Sequence, residues 1–181
     1  LGVVLTVAPW NYPLLTTVNS VIPALMAGNS VLLKPSAQTP LCGEHFVSAF
    51  RQAGLPEGVL QCLYLSHDST TKMLGDSVVD FACFTGSVAA GQKIEKSAAG
   101  SFLGLSLELG GKDPAYVRAD AKLDDCVNNL VDGAFFNSGQ SCCGIERIYV
   151  EQSLYSQFVE AYVEQVKNYA LDNPLLAETT L

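Results

Sequence analysis

The sequence predicts an α/β fold whose centre is a doubly wound parallel sheet, and three observations carry that prediction. Five short apolar runs alternate with segments of helical periodicity through the first part of the chain. The first run, residues 2–7, is almost entirely apolar, which is typical of a strand buried on both faces. Glycine, proline and polar residues follow the runs, at the place where such sheets bind ligands.

Proline and glycine mark the boundaries of the predicted elements. Pro23 is expected to interrupt and kink the first helix, and Gly28 is expected to end it. Thr39 and Pro40 are typical of a helix N-cap and first helical residue. The predicted strands cover residues 2–7, 30–33, 59–65, 78–84, 102–107, 115–117 and 147–150. The predicted helices cover residues 14–27, 40–53 and 87–99, with another starting at 66–69, one from 123 towards the cysteines, and a last one carrying residues 154–169.

Composition argues against several classes of function. The formal net charge is -8, whereas a nucleic-acid-binding protein is expected to present a basic face. No apolar run reaches about 18 residues, so a membrane-spanning helix is not predicted. The first residues lack the basic region and cleavage site of a signal peptide. The six cysteines have no spacing typical of a disulfide framework, which predicts reduced thiols in an intracellular setting.

Asn11 follows the first predicted strand in a turn bracketed by Pro9 and Pro13. The two prolines restrict the backbone, so the side chain of Asn11 is held in place. Its amide offers two N–H donors, which suit a developing oxyanion. The alternative is a turn asparagine that satisfies its own backbone.

Lys34 ends the second predicted strand, and Gly86 with Ser87 ends the fourth. A strand followed by a glycine turn and a helix N-terminus is typical of anion binding, because unpaired N–H groups and the helix dipole favour phosphate. The glycine spacing is not the GxGxxG of the dinucleotide fingerprint. The alternatives are a solvated lysine at a strand end and a glycine needed only for the turn.

Glu108 ends the fifth predicted strand and precedes Gly110 and Gly111. The glycines permit close backbone approach and leave room for the carboxylate to turn. A glutamate with a raised pKa could act there as a general base. The alternative is a surface ion pair between Glu108 and Lys112, which would contribute only about 0–1 kcal/mol.

The stretch from Phe136 to Gly144 contains two adjacent thiols, Cys142 and Cys143, flanked by glycines. We expect the thiols at the end of a helix, which is a plausible place for a nucleophile, because only the thiolate attacks a carbonyl carbon and it forms where the surroundings favour it. The alternative is a pair of small buried thiols in a tight turn. Neither His45 nor His67 has a partner at metal-ligand spacing, so both are interpreted as surface or packing residues and no metal site is predicted.

Five motifs resemble those of the NAD(P)-dependent aldehyde dehydrogenase superfamily, in the family's order and approximate spacing, and they cover nearly the whole chain. They are Pro9-Trp10-Asn11, Lys34-Pro35-Ser36, Phe84-Thr85-Gly86-Ser87, Glu108-Leu109-Gly110-Gly111-Lys112 and Asn137-Ser138-Gly139-Gln140-Ser141-Cys142. The resemblance implies that residues 1–109 form the C-terminal part of a Rossmann-like cofactor domain and residues 110–181 the N-terminal part of an α/β catalytic domain.

By this resemblance, Cys142 is the nucleophile that attacks an aldehyde and forms a thiohemiacetal and then a thioester. Asn11 and the Cys142 backbone N–H would hold the oxyanion. Glu108 would activate the water that hydrolyses the thioester to a free acid. Glu108 disfavours the alternative of a coenzyme A-acylating relative, since such relatives generally lack this base.

The resemblance also assigns the cofactor-binding residues. Lys34 and Ser36 belong to the motif that holds the adenine ribose, Gly86 and Ser87 contact the pyrophosphate, and Trp10 and Gly110 lie near the cofactor. Ala37 stands where NAD-preferring members often carry a glutamate, so NADP as well as NAD is predicted to be accepted. The loop Ser66-His67-Asp68 departs from the glycine-containing loop of relatives, which puts the adenine pocket there in doubt.

The resemblance sets further expectations for the whole protein. Family members run to several hundred residues, so the isolated chain is expected to be a fragment with little or no activity. A small-molecule aldehyde is the expected partner, together with a homo-oligomeric state in the full-length protein and no nucleic acid or membrane. The expected compartment is the cytoplasm, with the mitochondrial matrix as the alternative. A non-catalytic protein that retains the fold as a binding module is the rival from another class.

Overall fold

The computed structural model describes residues 2–181, and the chain divides into two compact units, Leu1–Leu109 and Gly110–Leu181. This division falls where the sequence places the end of one domain and the start of the next. That the units are parts of a cofactor domain and a catalytic domain stays a prediction.

The first unit is built on five parallel strands in the order β3-β2-β1-β4-β5. A doubly wound parallel sheet is confirmed, with β1 at its centre. The strands are β1 (Val3–Val7), β2 (Ser30–Lys34), β3 (Leu60–Cys62), β4 (Phe81–Thr85) and β5 (Gly104–Glu108).

Four helices cover this sheet, and alternating side chains of the strands divide its core between two faces. One face packs Val4, Val31 and Leu33 against the first two helices. The other face packs Leu5 and Phe84 against the next two. The helices are α1 (Pro13–Met26), α2 (Pro40–Gln52), α3 (His67–Gly75) and α4 (Val88–Ala98).

The structure corrects several strand boundaries and one helix; the sixth and seventh strands begin at Asp113 and Ile145, two residues earlier than predicted. The third, fourth and fifth strands were predicted at 59–65, 78–84 and 102–107, but each is shorter or starts later. Ser77 and Phe102 have φ angles of 54° and 56°, so the chain turns there instead of extending. Pro23 does not interrupt α1, which continues for one more turn to Met26. Gly28, with φ of 80°, follows that helix as predicted.

The second unit pairs two parallel strands, β6 (Asp113–Val117) and β7 (Ile145–Val150), with two helices. The helices are α5 (Leu123–Phe135) and α6 (Tyr155–Val166), which pack against each other. Its core is formed by apolar side chains from the strands and the helices, namely Val117, Val127, Val131 and Phe158. Within residues 2–181, no helix combines the length and apolar character needed to cross a membrane.

Candidate active site

The predicted site residues of the first unit share one edge of its sheet. Because all five strands are parallel, their carboxyl ends lie on the same side. Asn11 follows β1, Lys34 ends β2, Gly86 follows β4 and Glu108 ends β5. The strand ends therefore bring these four residues to one edge, as the alternation of strands and helices predicted.

The strand order reverses at this edge between β1 and β4. The chain leaves β1 towards α1, which packs on β1 and β2, and leaves β4 towards α4, which packs on β4 and β5. Such a switch point opens a crevice at the carboxyl ends of the two strands. Asn11 is half-buried in the bend after β1, and the neighbouring Trp10 is 44% exposed.

Lys34 is buried, with only 6% of its surface exposed, so the alternative of a solvated lysine is wrong. Its ammonium group donates a hydrogen bond to the carbonyl oxygen of Pro35 at 3.3 Å. Burial lowers the pKa of the Lys34 side chain, because desolvation disfavours its charged form. A cation held by one neutral oxygen has further donors for a ligand at the sheet edge.

The turn after Lys34 presents Ser36 and Ala37. The Ser36 hydroxyl accepts the backbone N–H of Gln38 at 3.2 Å, which fixes the turn. Ala37 and Gln38 are both exposed, and neither carries a charge. The exposed tip of this turn is therefore neutral.

Gly86 and Ser87 form the connection from β4 to α4. A Cβ at Gly86 would lie 2.6 Å from the Phe84 ring, so a side chain would displace that ring. Ser87 is the N-cap, and its hydroxyl accepts the backbone N–H of Ala90 at 3.2 Å. One donor of the first turn is thus satisfied by the cap, and helix N-termini leave up to four such donors.

Glu108 ends β5 on the same sheet face as Thr85, its register partner on β4. The Glu108 carbonyl oxygen accepts the backbone N–H of Gly86 at 3.0 Å, and the residue is exposed. Lys112 forms its ion pair with Glu146 on β7, which is a different partner from the Glu108 of the sequence-based alternative. Sequence reasoning did not single out Thr85, because strand register is needed to pair it with Glu108.

The cysteines lie on an irregular turn, and the prediction that they end a helix is wrong. The helix α5 ends at Phe135, and a 3₁₀ turn covers Phe136–Gly139. Asn137, Ser138 and Gly139 have φ angles of 52°, 57° and 70°, so three consecutive residues adopt the left-handed conformation. Left-handed backbone is unfavourable for residues with a side chain, which explains why periodicity did not predict it.

Gly111 provides the close backbone approach that the sequence predicted for the glycine pair. A Cβ at Gly111 would lie 2.3 Å from the Cys142 carbonyl oxygen, whereas a Cβ at Gly110 would meet open space. The Asp113 N–H also donates to the Gly144 carbonyl oxygen at 3.3 Å. The segment that leads into β6 therefore supports the cysteine turn through Gly111.

Both adjacent thiols are exposed, so the alternative of two buried structural thiols is wrong. The Cys143 sulfur lies 3.2 Å from the Ser141 hydroxyl oxygen. Elsewhere, Cys62 and Cys83 are partly buried, and burial raises the pKa of both thiols. Because the thiolate is the reactive form, these two are poorer nucleophiles.

The two histidines and one further groove do not belong to the predicted site. His45 and His67 are exposed, in agreement with their interpretation as surface residues. Across residues 2–181, no group of three or more His, Cys, Asp or Glu side chains is arranged to hold a metal ion. A groove of about 490 Å³ lies between α2 and β3, and it is lined by none of the predicted site residues.

Comparison with known proteins gives one consistent result. The model of the aldehyde dehydrogenase family matches residues 1–181. Human aldehyde dehydrogenase 1A1 is 40% identical over 99% of the chain, and D-glyceraldehyde dehydrogenase (NADP(+)) of Picrophilus torridus is 36% identical over 96%. The crystal structure of lactaldehyde dehydrogenase from Escherichia coli matches 99% of the chain with a TM-score of 0.91 and 36% identity.

The match covers all of this chain but only part of each relative. The chain spans 36% of the human protein, 35% of the Picrophilus protein and 38% of the Escherichia coli structure. The fold, the order of the motifs and these similarities agree over the same residues. The chain therefore belongs to the aldehyde dehydrogenase family.

Proposed function

We propose that the protein containing this chain oxidises an aldehyde to a carboxylic acid with NAD or NADP, and that Cys142 is its nucleophile. The observation that carries the proposal is the exposed Cys142 on a turn of the family-matched chain. The first unit would be part of the cofactor domain and the second unit the start of the catalytic domain.

Cys142 would attack the aldehyde carbon, with a thiolate as the attacking group. Cys142 is exposed, while its carbonyl oxygen is packed against Gly111. A fixed backbone with an accessible sulfur suits a nucleophile, because the reacting atom can be held at a constant position. Attack gives a thiohemiacetal, and its oxidation leaves a thioester on Cys142.

Asn11 would stabilise the oxyanion of the thiohemiacetal through its side-chain amide, together with the Cys142 backbone N–H. The residue is half-buried in a bend with Pro9 and Pro13 on either side. Such preorganised donors typically contribute about 10²–10³ in rate each.

Glu108 would act as the general base that activates water for hydrolysis of the thioester. It is exposed at the end of β5, where no ion pair to it is found among residues 2–181. An accessible carboxylate can accept a proton from water. Release of a free acid, in place of acyl transfer to coenzyme A, follows from this role.

The sheet edge of the first unit fits a dinucleotide cofactor. Gly86 leaves room for the Phe84 ring beside the β4–α4 connection, and the N-terminus of α4 follows directly, which suits a pyrophosphate. Lys34 offers a buried ammonium group for ribose hydroxyls, with Ser36 in the adjoining turn. Trp10 and Gly110 are further proposed contacts. When bound, the nicotinamide supplies the hydride acceptor for the oxidation.

Ala37 supports acceptance of NADP. Its side chain is exposed in the turn after Lys34, and no carboxylate stands at this position to repel a 2′-phosphate. The name of the Picrophilus relative records NADP(+) as the cofactor of that protein. We expect kcat/KM with NADP to be at least comparable to that with NAD.

The test is an assay of the intact protein with a panel of aldehydes and either cofactor, joined to trapping of the thioester. Glu108→Gln should slow hydrolysis and let an acyl group accumulate on the peptide that contains Cys142, as detected by mass spectrometry. An acyl group on a different cysteine, or aldehyde oxidation that never produces one, would contradict the proposed mechanism. A strong preference for NAD would contradict the cofactor prediction alone.

A further inference from the structure

The two adjacent thiols are held in different ways. The Cys143 sulfur lies 3.2 Å from the Ser141 hydroxyl oxygen, and the Cys143 backbone N–H donates to the same oxygen at 3.3 Å. Ser141 therefore contacts both the backbone and the side chain of Cys143. Within residues 2–181, no comparable hydrogen bond to the Cys142 sulfur is found.

Either atom of the Ser141–Cys143 contact could be the donor. A hydroxyl oxygen has two lone pairs, and a thiol is a weak donor through its S–H and a weak acceptor through its sulfur. The Ser141 oxygen can accept the Cys143 N–H and the Cys143 S–H together. With either donor the Cys143 sulfur lies against the Ser141 hydroxyl, and it must break the contact before it attacks another molecule.

We propose that Ser141 is a positioning residue that distinguishes the two thiols: its hydroxyl holds the Cys143 sulfur in the turn and leaves the Cys142 sulfur to meet an electrophile. The inference rests on the proposed function only in taking Cys142 to be the nucleophile. It adds a reason why one of two neighbouring, exposed thiols is the reactive one.

Alkylation by iodoacetamide tests this selection directly. A thiolate sulfur forms a bond to the methylene carbon, the carbon–iodine bond breaks, iodide leaves, and the thiol proton goes to solvent. The reaction needs neither aldehyde nor nicotinamide. A failed enzymatic proposal would therefore leave this measurement interpretable, and the two failures can be told apart.

The experiment measures the alkylation rates of Cys142 and Cys143 separately in the intact protein, with the label assigned by fragmentation of the peptide between them. In the unmodified protein, Cys142 should react faster. Ser141→Ala should raise the rate at Cys143 by about twofold to tenfold, the range expected for loss of one hydrogen bond. The rate at Cys142 should change much less.

Two further variants separate positioning from a general loosening of the fold. Ser141→Thr retains a hydroxyl and should restore the slow reaction of Cys143. Ser153→Ala removes a hydroxyl that hydrogen-bonds to Glu151 in another loop of the same unit, and it should leave both rates unchanged. Should Ser141→Ala fail to fold, the rates at Cys142 and Cys143 in the unmodified protein and in Ser141→Thr still test the proposal.

Three results would overturn the proposal. One is equal or faster alkylation of Cys143 in the unmodified protein. Another is a fall in the Cys143 rate in Ser141→Ala, which would mean that the hydroxyl donates to the sulfur and activates it. The third is an equal rise at both cysteines, which would show that Ser141 only stabilises the turn.

Discussion

The first unit holds its predicted site residues at the ends of regular strands, whereas the second holds its cysteines on an irregular turn. Lys34 and Glu108 end strands that are hydrogen-bonded to neighbours over a buried core. Cys142 follows three left-handed residues and is supported by the close approach of Gly111. A strand end is secured by many interactions, while the turn depends on a few. Single substitutions near the turn should therefore have larger effects on geometry.

The largest expected effect comes from Cys142 itself. Cys142→Ala should lower kcat/KM of the intact protein for an aldehyde by about 10⁴-fold or more, because the covalent route is lost. Cys126→Ala removes a half-buried thiol on α5 and serves as the matched control, with near-normal activity expected. If Cys143→Ala abolished activity while Cys142→Ala retained it, the assignment of Cys142 as the nucleophile would be wrong and Cys143 would take that role.

Substitutions in the glycine pair before β6 test how far the cysteine turn depends on the close approach of Gly111 to the Cys142 carbonyl oxygen. Gly111→Ala should displace the Cys142 carbonyl, costing about 1–3 kcal/mol of unfolding free energy as in an overpacked site, with a large loss of activity. Gly110→Ala places its methyl group in open space and should leave the thermal unfolding midpoint nearly unchanged. Equal unfolding midpoints for the two variants would show that the approach at Gly111 is not a constraint.

In the first unit, substitutions in the turn after Lys34 test whether charge there sets the cofactor preference. A change of charge in this exposed turn should leave the fold intact. Ala37→Glu should lower the ratio of kcat/KM for NADP over NAD by about tenfold to a hundredfold, because a carboxylate would repel a 2′-phosphate. Gln38→Glu adds the same charge at the next exposed position and should change the ratio far less. Equal effects of the two variants would point to general repulsion of anions.

Lys34→Met should cause a small change in stability that depends on pH. Burial lowers the folded-state pKa of Lys34, so at neutral pH its charge destabilises the fold. The variant should be more stable at pH 7, because no buried charge is left, and it should bind NADP less tightly. Because the unfolded state binds more protons between the folded and unfolded pKa values, stability of the unmodified protein rises with pH there.

The difference between Lys34→Met and the unmodified protein should therefore shrink as pH rises towards the unfolded lysine pKa of about 10.4. Urea unfolding at pH 7 and at pH 10 measures it. A stability difference that grows with pH would contradict the lowered folded-state pKa of Lys34.

Several features followed from the sequence because they depend on local or periodic signals. The apolar runs predicted the parallel sheet, and the polar residues after them predicted a shared edge. Thr39 and Pro40 marked the start of α2 correctly. The predicted strand limits were less accurate. The turn at Phe102 depends on a left-handed backbone conformation, which the identity of this residue does not predict.

The candidate site shows the same limit at the level of side chains. The motifs named Asn11, Glu108 and Cys142, but whether Lys34 is solvated required its burial to be known. The partner of Lys112 was chosen by proximity in sequence, whereas the structure pairs it with Glu146 on a neighbouring strand. Ser141 was recognised only as a motif residue, since its contact with Cys143 depends on the shape of the turn.

The sequence by itself determined the fold class, the family resemblance and the chemical types of the candidate groups, because hydrophobic period and motif spacing are written along the chain. Tertiary structure decided the strand order, the burial of Lys34, the close approach of Gly111 to Cys142 and the unequal contacts of the two thiols. These depend on atoms brought together by packing and by left-handed backbone, and no local preference of a residue specifies which distant atoms it will meet.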